Sequence, residues 1–147
     1  MGNTFYLTPT HSNRRLTYEV YSNWDYVKLA SEGQNGTSIT FEPDPSGDGY
    51  FLKMNASNYA NHVYFTTDSK GWVYLDKKEN ASRYYVDRFA VKNEAAATPI
   101  QDIAGVRTNN MFFKLLERQG KLWLSTDGYK DPQTGDIDRN IMEFIRA

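Results

Sequence analysis

Short runs in which apolar and polar residues alternate fill most of the chain, and Gly, Asn, Asp, Ser and Pro separate them. Alternation with a period of two is the pattern of a half-buried β-strand, and the separating residues favour turns. The alanine-rich stretch at residues 93–98 (NEAAAT) runs into Pro99, so it supplies at most about one turn of helix. The pattern therefore predicts an all-β fold.

Three of these alternating runs follow a polar turn and recur along the chain. They are residues 23–31 (NWDYVKLAS), 70–78 (KGWVYLDKK) and 119–127 (QGKLWLSTD). When Leu29, Leu75 and Leu124 are superposed, the separations are 75 − 29 = 46 and 124 − 75 = 49 residues. Further alternating runs flank each of the three, although the first strand of the third unit, near residues 100–106, is weakly marked. Four strands in each of three units predict twelve strands.

Twelve strands in three units of 46–49 residues resemble the β-trefoil, a six-stranded barrel closed at one end by three hairpins. A chain of 147 residues is the size of one domain. The resemblance therefore predicts a single domain over residues 1–147, with repeats at approximately 1–48, 49–97 and 98–147. The alternative is an up-and-down barrel of the lipocalin or fatty-acid-binding type, which has no reason to repeat at this spacing.

The repeated strands also predict the core of such a barrel. Side chains on alternate positions of a strand point to opposite faces. We expect six aliphatic residues to face the core: Val27, Leu29, Val73, Leu75, Leu122 and Leu124. Three phenylalanines should lie beneath them: Phe41, Phe89 and Phe144. Lys28, Tyr74 and Trp123 should point away.

Composition narrows the function. Seventeen Lys and Arg against eighteen Asp and Glu give a net charge of −1, which argues against nucleic-acid binding and against attraction to an anionic membrane. The absence of cysteine excludes disulfides and thiol catalysis. The N-terminal residues contain no apolar run of signal-peptide length, and no stretch reaches the roughly 18 apolar residues of a membrane span. We expect a cytoplasmic protein, or one released by a leaderless route, that does not insert into membranes.

The sequence carries almost no signal of catalytic chemistry. The chain has two histidines and lacks a G-x-S-x-G string, a Gly-rich phosphate loop and an H-E-x-x-H pair. We therefore expect no enzyme activity, no catalytic residues, no cofactor and no metal. Residues 126–140 (TDGYKDPQTGDIDRN) contain Asp127, Asp131, Asp136 and Asp138, which suggest either a calcium loop or a solvated hairpin loop. The mixture with Lys130 and Arg139 favours the solvated loop.

The turns before the repeated strands carry the most informative groups. In the first two repeats an aromatic ring lies beside a carboxylate and short polar side chains, which are the parts that sugar recognition needs. The predicted carbohydrate-binding residues are Asn23, Trp24, Asp25, Asp68, Lys70, Trp72 and Tyr129. The third turn, at residues 118–121 (RQGK), has no ring, which predicts two sites and one degraded copy. Alternatively, Trp24 and Trp72 cap the barrel.

β-Trefoils include ricin-B-like domains and cysteine-free cytosolic lectins of fungi and bacteria, which this chain resembles in length, aromatic content and lack of cysteine. It contains no Q-x-W motif, so a ricin-type galactose site cannot be transferred to it. The resemblance implies a non-enzymatic lectin whose partners are glycans or glycoproteins, with repeated sites or a homodimer raising avidity. The alternative is a protease inhibitor similar to those of mushrooms, acting through residues 43–49 (PDPSGDG) and 126–140.

Overall fold

The computed structural model describes residues 3–10, 12–94, 97–103, 112–126 and 142–147. These residues form twelve β-strands and a 3₁₀ turn at Lys78–Asn80. The strands are β1 Thr4–Pro9, β2 Leu16–Tyr21, β3 Trp24–Leu29, β4 Ile39–Pro43, β5 Tyr50–Met54, β6 Tyr64–Thr67, β7 Val73–Asp76, β8 Tyr84–Val86, β9 Ile100–Asp102, β10 Lys114–Arg118, β11 Lys121–Ser125 and β12 Met142–Arg146. The predicted all-β fold is confirmed. None of the helical turns in the described ranges has the length and apolar character to cross a membrane.

Six of the strands form the barrel. β1 pairs with β12 and β4, β5 pairs with β4 and β8, and β8 pairs with β9, all antiparallel. A bridge between Thr98 and Met142 joins the segment before β9 to β12 and closes the ring of strands. The remaining six strands form three hairpins, so the predicted β-trefoil is confirmed.

The three hairpins, β2–β3, β6–β7 and β10–β11, meet through their second strands. The contacts between neighbouring hairpins are the pairs Tyr26–Tyr74, Trp72–Ser125 and Trp123–Lys28. The second residue of each pair lies two positions after the ring that its own hairpin contributes: Tyr74 follows Trp72, Ser125 follows Trp123, and Lys28 follows Tyr26. Tyr26, Trp72 and Trp123 therefore occupy equivalent positions around the pseudo-threefold axis. The hairpin contacts thus match Trp123 with Trp72. The superposition of the leucines in the sequence would instead match Lys121 with Trp72, which differs by two residues.

Turn chemistry explains how the hairpins reverse direction. Ser22 and Asn23 have φ of 53° and 70°, and Gln119 and Gly120 have φ of 58° and 77°. Two central residues with positive φ define a type I′ turn, whose twist matches that of the flanking strands. The β6–β7 turn is longer by one residue and ends at Gly71, with φ of 94°.

The predicted core is largely confirmed. Five of the six aliphatic residues are no more than 4% exposed, and Leu122 is partly buried against the same cluster. Phe41 and Phe144 are buried, and their ring centroids lie 5.4 Å and 5.7 Å from that of Phe89. Ring pairs at this separation pack edge-on or tilted and stabilise the barrel beyond the area that they bury.

The residues predicted to point away from the core do so, but neighbouring side chains cover two of them. Lys28 and Trp123 are only 4% and 9% exposed. The reason is that the hairpins pack side by side over the end of the barrel, so the outer face of each second strand is partly covered by the hairpin next to it. That outer face holds the candidate site.

Candidate functional site: an aromatic pocket on the hairpin cap

A pocket of about 280 Å³ opens on the outer face of the three hairpins. Its lining residues are Tyr21, Tyr26, Trp72, Arg118, Gln119 and Trp123. The Tyr21 ring centroid lies 6.0 Å from that of Tyr26 and 6.2 Å from that of Trp123. Because the equivalent residue of each repeat contributes one ring, the pocket lies on the pseudo-threefold axis. We call it the axial pocket.

Hydrogen bonds hold these rings in place. The Trp123 indole N–H donates to the Arg118 carbonyl oxygen at 3.1 Å, across its own hairpin. The Tyr26 hydroxyl donates to Asp68 Oδ2 at 3.4 Å, and Asp68 Oδ1 accepts from the backbone amide of Trp72 at 3.0 Å. Asp68 Oδ1 also accepts from the Lys70 amide at 2.8 Å. One carboxylate thus organises the β6–β7 turn and positions two of the rings.

The environment keeps the Tyr26 phenol protonated. Partial burial disfavours the phenolate, and the nearby Asp68 carboxylate adds electrostatic repulsion, so the pKa of Tyr26 is raised above its usual value. The phenol therefore remains a hydrogen-bond donor to Asp68. The ring in turn keeps its uncharged, apolar face on the pocket.

A second carboxylate, that of Glu19, lies beside the pocket and already has partners within the protein. Glu19 accepts from Lys28 at 2.7 Å, and it forms an ion pair with Lys121. Burial opposes ionisation of Glu19, but the hydrogen bonds from Lys121 and Lys28 outweigh it and lower the pKa of this carboxyl group. Glu19 therefore joins the first and third hairpins next to Tyr26, its partner across the β2–β3 pair.

The charged side chain that lines the pocket itself is Arg118. Its guanidinium carbon lies 5.3 Å from the centroid of the Trp72 ring, within cation–π distance. Arg118 Nη1 also donates to the Glu117 carbonyl oxygen. The pocket thus combines apolar ring faces with one fixed positive charge and the amide of Gln119.

Of the two tryptophans predicted to bind sugar, Trp72 lines the axial pocket and Trp24 lies outside it. Trp24 is 37% exposed, and its ring centroid is 5.0 Å from that of Tyr74 and 5.8 Å from that of His62. Trp24 is nevertheless linked to the pocket rings, because the Tyr74 ring centroid also lies 5.6 Å from that of Tyr26.

The other predicted residues divide into three groups. Asn23 and Lys70 are exposed on turns, and Asp68 lies behind the rings. Asp25 requires a correction, because it is completely buried and has no exposed surface to offer a ligand. Its carboxylate accepts from the backbone amide of Asn58 at 2.6 Å and from Asn58 Nδ2 at 2.8 Å, which fastens the β5–β6 loop to β3.

Tyr129 and the acidic segment from Asp127 to Asp138 lie outside the described residues, as does His11. Within the described ranges, no three His, Cys, Asp or Glu side chains come together in a way that would hold a metal ion.

The predicted set omitted five of the six lining residues: Tyr21, Tyr26, Arg118, Gln119 and Trp123. A signal for them is present in the sequence. Matching the two-residue turns Ser22–Asn23 and Gln119–Gly120 aligns Tyr26 with Trp123, since 120 − 23 and 123 − 26 are both 97. The third repeat therefore does carry a ring, two residues beyond the turn segment 118–121.

A separate exposed loop follows β4 at residues 44–49. Asp44 is 8% exposed, and its Oδ1 accepts from the Ser46 amide at 3.0 Å and the Ser46 hydroxyl at 2.8 Å. Arg83 Nη1 donates to Asp44 Oδ2 at 3.2 Å. The Ser46 backbone amide, then its hydroxyl and Arg83, lower the pKa of Asp44. These contacts fix the ends of the loop while its central residues remain exposed.

No protein-family model and no curated protein matches this chain. Solved structures do resemble it. Lysenin in complex with phosphocholine aligns with a TM-score of 0.70 at 9% identity, over 99% of this chain and 44% of that one. The double-headed arrowhead protease inhibitor A, in complex with two trypsins, aligns with a TM-score of 0.68 at 11% identity, over 97% and 88%. The bifunctional α-amylase/subtilisin inhibitor of rice, Oryza sativa, aligns with a TM-score of 0.60 at 13% identity, over 100% and 92%.

These likenesses establish the fold. The chain spans less than half the length of the lysenin chains that it matches. The three proteins are named for different ligands or targets, and a fold by itself does not define a function. The chain is thus a β-trefoil protein, and its function has to be argued from its own site.

Proposed function

We propose that this protein is a non-enzymatic carbohydrate-binding protein, a lectin, and that the axial pocket is its binding site. The observation that carries the proposal is the convergence of Tyr21, Trp72 and Trp123 with the polar side chains of Arg118 and Gln119 in one concave surface. Aromatic faces pack against the C–H surface of a sugar ring, and amide and guanidinium groups bond its hydroxyls.

The dimensions favour a small ligand. A pocket of about 280 Å³ lies just below the range for small-molecule sites, roughly 300–1,000 Å³. We therefore expect one sugar residue to fill it, with the rest of a glycan extending into solvent. Since all three repeats share this one pocket, we expect it to bind one ligand per chain. Affinity for a single sugar should be weak, and an oligomer or a dense glycan surface would raise it by avidity.

Replacing Trp72 tests the site. Trp72 is half-buried, and its ring forms one side of the pocket. If a sugar covers ~55 Å² of this ring, Trp72→Ala removes about 1.4 kcal/mol of binding free energy, which is roughly tenfold in Kd. The measurement is a glycan-array screen of labelled protein with competing free sugar, followed by calorimetric titration of the best ligand.

Trp24→Ala is the matched control. Both substitutions remove a partly exposed tryptophan from the hairpin cap, but Trp24 packs against Tyr74 and His62 instead of lining the pocket. We expect Trp24→Ala to retain the binding that Trp72→Ala loses. Equal loss in both variants, with both still folded by circular dichroism, would place the site elsewhere on the cap.

A second candidate function, protease inhibition, is favoured by the loop at residues 44–49. An inhibitor loop has to present an exposed segment in a fixed shape, and Asp44 supplies such a constraint through Ser46 and Arg83. Assays against trypsin-like and papain-like proteases test it. Nanomolar inhibition that Asp44→Ala weakens, together with a blank glycan array, would favour the inhibitor over the lectin.

A further inference from the structure

We infer that the axial pocket selects a sugar residue that carries a carboxylate, such as a uronic or sialic acid, and that Arg118 is the group that recognises it. This inference rests on the proposed carbohydrate site and specifies its ligand class. The inference is drawn from the charges around the pocket. The aromatic rings alone do not determine the class of ligand.

The two carboxylates beside the pocket, those of Asp68 and Glu19, already have hydrogen-bond or ion-pair partners within the protein. Asp68 accepts from two backbone amides and from the Tyr26 hydroxyl, and Glu19 is paired with Lys28 and Lys121. Glu117 adjoins Arg118 in sequence, but consecutive residues of a strand face opposite sides, so it points away from the pocket face. Among the described residues, neither Asp68 nor Glu19 forms an ion pair with Arg118, although Asp68 keeps its own negative charge behind Tyr26.

Arg118 itself is available to a ligand. It is exposed, and it forms no salt bridge with any residue in the described part of the chain. Nη1 donates to the Glu117 carbonyl oxygen, and the cation lies against the Trp72 ring. A guanidinium has five N–H donors, so this arrangement leaves donors for a second partner. Two parallel N–H groups match the two oxygens of a carboxylate.

The same charge argues against the other ligand that an aromatic pocket suits. Clustered tyrosine and tryptophan faces attract cations such as quaternary ammonium groups. Here a permanently charged guanidinium already lies over the Trp72 face and would repel a second cation. An apolar sugar face with an attached carboxylate satisfies both the rings and Arg118.

The test compares sugars that differ in the carboxylate and little else. Methyl β-D-glucuronide and methyl β-D-glucoside form one pair, and the methyl galacturonide and galactoside form another. N-acetylneuraminic acid and tetramethylammonium complete the set. Each is titrated into the full chain by calorimetry, with tryptophan fluorescence as a second readout. We expect an acidic sugar to bind roughly tenfold more tightly than its neutral partner, at one per chain, with the advantage falling as salt is added.

Arg118→Gln should remove this advantage, because it weakens binding of the acidic sugar more than binding of its neutral partner, and it should leave the thermal unfolding midpoint unchanged. Arg118→Lys should restore only part of it, because an ammonium cannot form the bidentate contact. Arg88→Gln is the matched control, since Arg88 is also exposed and does not line the pocket. It should behave as the wild type.

The outcomes separate the two proposals. Equal affinity for acidic and neutral sugars, or an acidic preference that survives Arg118→Gln, would overturn the charge selection and leave the lectin standing. Tighter binding of tetramethylammonium than of any sugar would also overturn it, in favour of a cation cage. If no sugar binds by either readout, in this set or on the glycan array, both the carbohydrate site and its charge selection fail.

Discussion

Trp24 and Trp72 look alike in the sequence and differ in the structure. Each is the first aromatic residue after a hairpin turn, and each lies on the outer face of the cap. Yet Trp72 lines the axial pocket, whereas Trp24 packs against Tyr74 and His62. The residue that corresponds to Trp72 in the first hairpin is Tyr26.

The difference comes from hairpin length. Measured from the buried residue of the second strand, Val27 or Val73, the first hairpin continues for three residues before its turn, and the second continues for one. The third hairpin is as long as the first, with Arg118 and Tyr21 at matching positions beside the turn. The short second hairpin leaves Trp72 uncovered by its own turn. The two longer hairpins supply Tyr21 and Arg118 around it.

The position of a side chain relative to the axis is therefore set by the number of residues that separate it from the buried core residue of its strand. The number of residues since the turn does not decide it. A pattern of rings near turns indicates the correct surface but assigns partners wrongly when the hairpins differ in length. Substitutions of the ring on the axis and of the ring beside it test this distinction.

The largest effect is expected from Trp123→Ala. Trp123 is 9% exposed, donates to the Arg118 carbonyl and contacts Tyr21, so its removal empties the centre of the cap. We expect the free energy of unfolding to fall by about 3 kcal/mol, the lower end for a buried large aromatic residue. Sugar binding at the pocket should be lost. Urea unfolding measures the stability change, and titration of the folded variant measures the binding.

Trp24→Ala provides the comparison for stability. Its ring is 37% exposed and packs edge-on against two others, so we expect a loss of about 1 kcal/mol. Trp123→Phe separates the ring from its N–H, and it should cost about 1 kcal/mol for the lost hydrogen bond. If Trp24→Ala were as costly as Trp123→Ala, the two tryptophans would not differ in the way that their burial indicates.

A smaller effect is expected at the turn that separates Trp24 from Tyr21. Ser22 and Asn23 both have positive φ, which L-residues adopt at a cost. Asn-Gly is the preferred pair for a type I′ turn, so the double substitution Ser22→Asn with Asn23→Gly should stabilise the fold by about 1 kcal/mol. Binding should not change, because neither residue lines the pocket.

Urea unfolding again measures this change. The exposed Ser69→Asn substitution is its control, since Ser69 does not have positive φ and should be insensitive. A destabilising result in the double variant would mean that the Ser22 or Asn23 side chain makes a contact that outweighs its backbone strain.

The sequence predicted the fold better than the site, and the reason is physical. Core positions such as Val27 and Val73 repeat because each repeat has to bury the same face, so periodicity reveals them. Asp25 lies on that same face, two residues before Val27, and alternation alone would have indicated its burial. The axial pocket forms only when three hairpins meet, and its members are linked by strand pairing instead of by local sequence. Leu124 looked like the counterpart of Leu75, but the hairpin register makes it the counterpart of Val73.

The smallest effect is expected from the ion pairs of Glu19, which join the first and third hairpins. The pKa of Glu19 is lowered from 4.5, so the ionised form is favoured by folding. Its stabilisation is therefore fully present above the unfolded pKa and is lost as the pH falls through the folded pKa.

Near neutral pH, Glu19→Gln should lower the free energy of unfolding by about 0.5 kcal/mol, as for partly exposed ion pairs. The difference from the wild type should vanish once the pH falls below the lowered folded pKa, where both side chains are neutral. Glu32→Gln, at an exposed turn outside this network, should show no such pH dependence. If the Glu19→Gln difference persisted in acid, packing of the side chain would account for it, and the ion pairs would not join the hairpins that form the pocket.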